Sequence, residues 1–414
     1  MRFPKIDLSM LLPMTLLPAL RAPLLLPWFL FSLASCQSKP TAAPAKEPVA
    51  ASSPDAGLGS APEVAPDAKT FTERDLEGAA VMFDGVPTVA RSIVTAGESR
   101  RPIALTDDQI AFTSRRIGID RWQIFEADIT KGLERRVSYD AGDVEPIGMI
   151  GLGNQARLLI SSSSRAVRSS HRLLTEYQSR FLAKPKQNGT PELEHELLIE
   201  IPAAGKRGTV WQPISGESDR GFAGKFVFAR DREGNNGLLL ALSLPGRKSA
   251  REKVYRLGFS KNLKNPGAVS WQPLIVERPS GVSENAALVS VQIFPDTGQA
   301  LWANGSAMWT TDMSGKSAQR VGDDTAVVAG DLAIDPSGQW IVFSTPTANR
   351  GLNLATIHRT GKCYRNLTEI PGDEYEASFS PNSQSLFFTQ SQAGVTGIAR
   401  VSFATSSNLS TSCQ

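Results

Sequence analysis

The residues able to do acid, base or metal chemistry in this chain are few and scattered. Only three histidines occur, His171, His195 and His358, whereas a catalytic metal needs imidazole and carboxylate ligands converging on one point. His358 stands where two related segments carry Asp128 and Asp312, which marks it as a hairpin residue. The chain has no Gly-x-Ser-x-Gly elbow, no Gly-rich phosphate loop and no CxxC spacing. Carboxylates are better placed, at Asp140, Asp143 and Glu145, at Asp323 and Asp324, and at Asp373, Glu374 and Glu376. Clustered oxygens suit a hard cation. Asp143, Glu145, Asp324, Asp373 and Glu374 are therefore read as a candidate Ca2+ collar, with ordinary solvated turns as the competing reading and no metal or other cofactor otherwise indicated. A second constellation is basic: Arg165, Arg168, Arg172, Lys184 and Lys186, then Arg247, Lys248, Arg251 and Lys253. Such a flank beside acidic connections would steer a charged partner, although Glu192, Glu194, Glu196 and Glu252 interrupt it.

The thiols are three, Cys36, Cys363 and Cys413. Cys36 ends the run Leu33-Ala34-Ser35-Cys36, which closes an apolar stretch from Ala22 to Ser35 behind Arg21. That stretch has 14 residues and two prolines, short of the about 20 needed for a membrane-spanning helix, and reads as a cleaved export signal. The long segment before it suggests initiation at Met14 in place of Met1. The order positive, apolar, small, Cys resembles the lipobox of bacterial lipoproteins. The resemblance implies that Cys36 is lipidated and becomes the first mature residue, and Gln37 behind it favours the outer membrane over retention at the inner one. The expected divisions are residues 1–35 as signal, 36–69 as lipidated Cys and linker, and 70–414 as the folded part, with 70–100 a lead-in or closing strand.

Between Ser38 and Lys69 the composition reduces to Ala, Pro, Ser and Gly with few large apolar residues, too little to offset the entropy of ordering. Downstream of residue 35 the chain carries 41 basic and 40 acidic residues, and a balance so near zero argues against nucleic acid. In an exported protein Cys363 and Cys413 are candidates for a disulfide.

Whatever the chemistry, the elements that must position it are short strands. Apolar pentads recur at Ile110–Ser114, Leu158–Ser162, Phe226–Arg230, Ala300–Asn304, Ile341–Thr345 and Leu386–Gln390, and their near-continuous apolarity means that both faces are covered. Three are preceded by one turn type, Pro295-Asp296-Thr297-Gly298, Pro336-Ser337-Gly338 and Pro381-Asn382-Ser383, in which Pro presets the first dihedral and the polar residues tolerate the reversal. The turn prolines are 41 and 45 residues apart, the length of a four-stranded propeller blade. A second register agrees with the first: Val137, Val321 and Leu367 each follow Asp128, Asp312 and His358 by nine residues.

At Phe379 to Phe388 and at Thr360-Gly361-Lys362-Cys363-Tyr364-Arg365-Asn366-Leu367-Thr368 the chain resembles the TolB-like propeller repeats. The resemblance implies an all-β, six-bladed propeller of four-stranded antiparallel blades from about Arg100 onward. Blades two and three run longer, 68 and 74 residues between pentads, with the excess expected around Arg165 to Glu194 and Glu233 to Glu252. Their outer strands are expected at Gly208–Pro213 and Val269–Pro273, and the last blade is expected to close with either Leu409–Cys413 or Thr88–Thr95. TolB carries a further N-terminal domain for which this chain has no room between linker and first blade. The functional expectation is a monomeric, lipid-anchored envelope protein, facing the periplasm or the cell surface, that binds a protein partner without catalysis. The alternative is a carbohydrate- or peptide-cleaving propeller with its site at the channel mouth.

Overall fold

The computed structural model describes residues 69–403 apart from 84–85, 95–96, 117, 120, 140–141, 152–155, 163–195, 203–208, 214–223, 244–251, 260–269, 323–327, 329 and 348–350. The chain divides into two units, Met1–Ala61 and Pro62–Gln414, and every described residue lies in the second. All regular structure among the described residues is β-strand.

Three strands come first: β1 (Lys69–Thr70), β2 (Thr72–Phe83) and β3 (Val86–Val94). Blade 1 then contains β4 (Glu98–Ala104), β5 (Gln109–Arg115), β6 (Gln123–Asp128) and β7 (Leu133–Arg136), and blade 2 contains β8 (Val144–Ile150), β9 (Arg157–Ser162), β10 (Glu196–Pro202) and β11 (Thr209–Pro213). Blade 3 is β12 (Gly224–Arg230), β13 (Asn236–Ser243), β14 (Glu252–Gly258) and β15 (Ser270–Pro273); blade 4 is β16 (Leu288–Ile293), β17 (Ala300–Asn304), β18 (Ala307–Thr311) and β19 (Gln319–Val321). Blade 5 is β20 (Leu332–Ile334), β21 (Trp340–Pro346), β22 (Leu352–His358) and β23 (Arg365–Asn366), and blade 6 starts with β24 (Asp373–Phe379), β25 (Ser385–Gln392) and β26 (Val395–Ser402). Each blade is an antiparallel sheet whose strands lie side by side in chain order. The innermost strands β4, β8, β12, β16, β20 and β24 touch in succession, and β24 touches β4, so the ring closes at six blades.

Closure uses the N-terminal strands. β3 pairs with β26 (Ile93 opposite Ile398) as the fourth strand of blade 6, and β2 adds a fifth outside it. Of the two expected closing segments, the first therefore supplies the strand, β3 covering its residues 88–94, while residues 409–413 lie outside the described residues. β1 meanwhile pairs with the outer edge of blade 1 (Lys69 opposite Glu134), and Phe71 packs with Ile110 and Phe387. A hairpin that touches both the first and the last blade fastens the ring where its two ends meet.

The apolar pentads make sense in this arrangement because successive strand residues face opposite neighbours. In β25, Leu386 and Phe388 pack toward blade 5 beside Trp340 and Leu354, whereas Phe387 packs toward blade 1 beside Phe112 and Ile398. In β21, Trp340 and Val342 face blade 6 while Ile341 and Phe343 face blade 4. Each interblade seam has its own core.

One expected strand sits elsewhere in its blade. Phe226–Arg230 is not the second strand of blade 3 but its innermost one, β12, and β13 is the second. The pentad misled because β12 is sealed on both faces: Phe226 and Phe228 pack toward blade 2, Val227 and Ala229 toward blade 4. Phe228 fits because Gly148 and Gly237 carry no side chain, since a Cβ would lie 2.5 Å and 2.3 Å from its ring. Between the true second strands the spacings become 79 (Arg157 to Asn236) and 64 (Asn236 to Ala300), so both blades remain long, and β13 itself takes 8 of the residues between Glu233 and Glu252 where excess was expected. In blade 2 the excess does fall between the second and third strands, because β9 pairs directly with β10 (Ser162 opposite Glu196) across residues 163–195. The outer strands β11 and β15 occupy the segments expected of them.

The Pro-containing turns join innermost to second strands. Gly298, Gly338 and Ser383 adopt φ of 69°, 74° and 59°, the left-handed region in which glycine is unstrained. These turns and the hairpins between third and fourth strands share one face, here the turn face. The opposite loop face carries the connections from each blade to the next.

Candidate functional site

The ring of innermost strands surrounds a channel, and the two ends of that channel differ in chemistry. Near the loop face is a cavity of about 160 Å3 bordered by all six innermost strands or the residue before them, including Arg101, Gln292, Asp331, Glu376 and Ser378. Toward the turn face it opens into a funnel of about 610 Å3.

At the loop-face end, β4 and β24 share a device. Each carries a β-bulge, between Arg100 and Ile103 and between Tyr375 and Ser378, and each bulge holds a non-glycine residue at positive φ, Arg101 at 58° and Glu376 at 57°. Bulges re-aim side chains beside functional sites, and left-handed L-residues cost about 1–2 kcal/mol each. Here the two strained residues bind one another. The Arg101 guanidinium lies 3.4 Å from Glu376 Oε1 and 2.6 Å from Glu145 Oε2. The Arg101 backbone N–H donates to Glu376 Oε2 and to Thr389 Oγ1, both at 2.9 Å, and the Thr389 hydroxyl donates to the same carboxylate oxygen. Glu145 also pairs with Arg100, which lies over the Trp122 ring at 4.1 Å. Burial works to discharge Arg101, but Glu145, Glu376 and Asp331 more than offset it and raise its pKa further. The network joins blades 1, 2 and 6.

The expected collar residues thus have individual partners. Glu145 is half of the Arg101 cluster. Asp143 Oδ1 accepts the Trp122 N–H at 3.0 Å, and Asp373 Oδ1 accepts the Leu352 N–H at 2.9 Å. The same side chain in two blades caps a backbone donor at the entry to the preceding blade's third strand, Trp122 just before β6 and Leu352 at the start of β22. Glu374 is fully buried; its Oε2 accepts from the Thr368 hydroxyl and from the Leu354 N–H at 3.3 Å, while Oε1 has no partner. Burial pushes its carboxyl up to about 7, against the lowering effect of those two hydrogen bonds and with repulsion from Asp373 adding to the rise. Asp324 lies outside the described residues. Among the described residues no three of His, Cys, Asp and Glu form a metal-holding group.

The other expected residues are quickly placed. Arg165, Arg168, Arg172, Arg247, Lys248 and Arg251 lie outside the described residues, as do Cys36 and Cys413. Cys363 is disulfide-bonded, to a cysteine outside them. His358 ends β22 in a hairpin: its Nδ1 is 2.8 Å from Thr360 Oγ1 and its ring meets Trp340 edge-on at 5.3 Å. Burial first, then Arg359, holds its pKa below the usual histidine value. Asp128 and Asp312 do the corresponding work, accepting the N–H groups of Lys131 at 3.0 Å and of Ser314 at 2.8 Å.

The turn-face funnel was not anticipated. Its acids are consumed by turns: Asp231 accepts from Asn235 and Asn236 at 3.0 and 3.1 Å, Asp335 from Gln339 and Trp340 at 2.8 and 2.7 Å, and Asp296 pairs with Arg359. Its guanidiniums are not consumed. Among the described residues Arg230, at the end of β12, donates to the Gly151 carbonyl alone, and exposed Arg232 has no partner. Burial lowers the Arg230 pKa, and only Asp231 opposes that effect. The abrupt change from Phe226–Ala229 to Arg230-Asp231-Arg232 was the available signal, and it was masked by placing the pentad one strand too far out.

No protein-family model matches the chain, and no curated protein sequence does. Solved structures do. The chain is similar to a gluconolactonase from Xanthomonas campestris, with 11% identity, a TM-score of 0.51 and coverage of 82% of this chain and 99% of that one. It is also similar to TolB from Acinetobacter baumannii, at 12% identity, TM-score 0.45 and coverage of 75% and 66%. An oligogalacturonate lyase from Vibrio parahaemolyticus gives 10% identity, TM-score 0.46 and coverage of 81% and 98%. The likeness is one of fold. Neighbours named as enzymes stand beside TolB, and a shared propeller does not choose between them.

Proposed function

We propose that this chain is an outer-membrane lipoprotein, anchored through Cys36, whose propeller is a binding module and not a catalyst. The observation that carries this reading is the way the charged groups at the loop-face end are used. Glu145 and Glu376 hold Arg101, Asp143 and Asp373 cap backbone donors of the preceding blade, and Glu374 is sealed between blades. Groups engaged in this way stiffen a disc whose loops and channel mouths are then free to recognise a partner, and rigid presentation lowers the entropic cost of binding. The apolar run ending at Cys36 and the Pro/Ala-rich stretch behind it supply anchor and spacer. Metabolic labelling with a palmitate analogue tests the anchor. Label and membrane fractionation should both disappear in Cys36→Ser, and an unlabelled wild-type protein would overturn it.

A second reading is favoured by one feature. Strained residues cluster at active sites, and Arg101 and Glu376 border the 160 Å3 cavity in left-handed conformations. A channel enzyme would show turnover of an oligosaccharide, lactone or peptide that Glu376→Gln abolishes without unfolding the protein.

A further inference from the structure

The turn-face funnel opens where the six innermost strands end, and its hydrogen-bonding capacity is less balanced than its charge. The acids Asp231, Asp296 and Asp335 still offset the charge of Arg230 and Arg232, but their oxygens are committed elsewhere, so the spare polar groups are guanidinium donors. The oxygens of Asp231 and Asp335 are held by backbone donors of their own turns, and Asp296 is committed to Arg359 across the seam between blades 4 and 5. Arg230 is half-buried with one carbonyl partner, although a guanidinium has five N–H groups to place. Arg232, two residues on and bordering the same funnel, is exposed and has no partner among the described residues. A partly desolvated cation with spare donors beside a free one is an incomplete anion site, and a forked guanidinium matches a carboxylate.

The surrounding surface narrows the ligand class. Met149, Ile334, Phe379 and Pro381 also border the funnel, so an occupant would bury apolar groups next to its charge. A polysaccharide would instead need acceptors for its hydroxyls, and the carboxylates that could accept are already engaged. We propose that the funnel binds an extended acidic peptide segment of a partner protein, its carboxylates held by Arg230 and Arg232 and its apolar side chains by the inner wall. This rests on the reading of the propeller as a binding module and names the chemistry of what it binds.

The test uses the full chain and a fluorescein-labelled peptide of alternating Glu and Leu, with a Lys/Leu peptide as control and oligogalacturonate as competitor. The expected result is binding of the acidic peptide only, weakened by added salt, and weakened about tenfold or more in R232Q, in line with a charge-assisted contact of about 1.5–3 kcal/mol. Because Arg232 is exposed, R232Q does not depend on the packing of Arg230 against Gly151, and R230Q should add to the loss. Equal binding of both peptides, no binding, or an R232Q affinity equal to wild type would overturn the proposal; binding of oligogalacturonate in place of the peptide would overturn the peptide class. In-cell crosslinking separates the two levels. Partners kept in R230Q/R232Q refute this site and leave the binding module standing, whereas no partner in wild type refutes the module.

Discussion

Glu374 makes the stability of this propeller fall as the pH rises. Its carboxyl is fully buried between blades 5 and 6 and titrates near 7 in the folded chain, against an ordinary value of 4.5. Between those two values the folded state keeps a proton that the unfolded chain gives up, so the protonated form's contribution is complete at low pH and is lost as pH climbs through about 7. At about 1.36 kcal/mol per pH unit, the full effect is about 3 kcal/mol, of which about 2.5 kcal/mol falls between about pH 5 and about pH 8. Glu374→Gln removes the titration while keeping the acceptor for Thr368 and Leu354. The amide nitrogen takes the position of Oε1, which has no partner, and costs about 1–3 kcal/mol at every pH. The informative quantity is therefore the slope. Urea midpoints between about pH 5 and 8 should decline more steeply in wild type than in E374Q, by an amount equivalent to about 2.5 kcal/mol. Parallel profiles would refute the argument that this carboxyl is buried and proton-bound.

Two further predictions concern the closure of the ring. Glu376→Ala leaves Arg101 with Glu145 as its remaining close carboxylate and releases the Arg101 backbone N–H at a strained bulge; it should destabilise by about 3 kcal/mol in chemical denaturation, and a loss under about 1 kcal/mol would show the network to be unimportant. Mass spectrometry of an unreduced digest should link Cys363 to Cys413, because Cys36 would carry lipid; a Cys36–Cys363 link would contradict the anchor.

The periodic part of the fold was legible because it is written locally. Pro295, Pro336 and Pro381 mark the turns, and pentads such as Leu386–Gln390 show seams on both faces, so blade length and class follow without any long-range information. What could not be read was which strand of a blade a pentad occupies. Phe226–Arg230 and Leu386–Gln390 look alike because inner and second strands are both sandwiched, and only the pocket made by Gly148 and Gly237 distinguishes them. Closure depends on a pairing over some 300 residues, Ile93 with Ile398, and two segments fitted it equally. The acids were legible, but not their partners. Asp143 and Asp373 recur because each caps a neighbouring blade's backbone, a role that leaves the same trace in sequence as a ligand ring. Arg101 and Arg230 were missed since their significance lies in which partners they have, and pairing across blades is not visible in any local pattern.

The central claim is that the anchored propeller recognises another protein, and its turn face is the predicted surface. Lys131, Lys316 and Lys362 sit in the hairpins on that face. Lysine-reactive crosslinking in intact cells, read by mass spectrometry on the full-length protein, should recover links from these lysines to one recurrent envelope protein, centred on an acidic segment. A chain that yields only internal links, or links that scatter over unrelated abundant proteins, would contradict it.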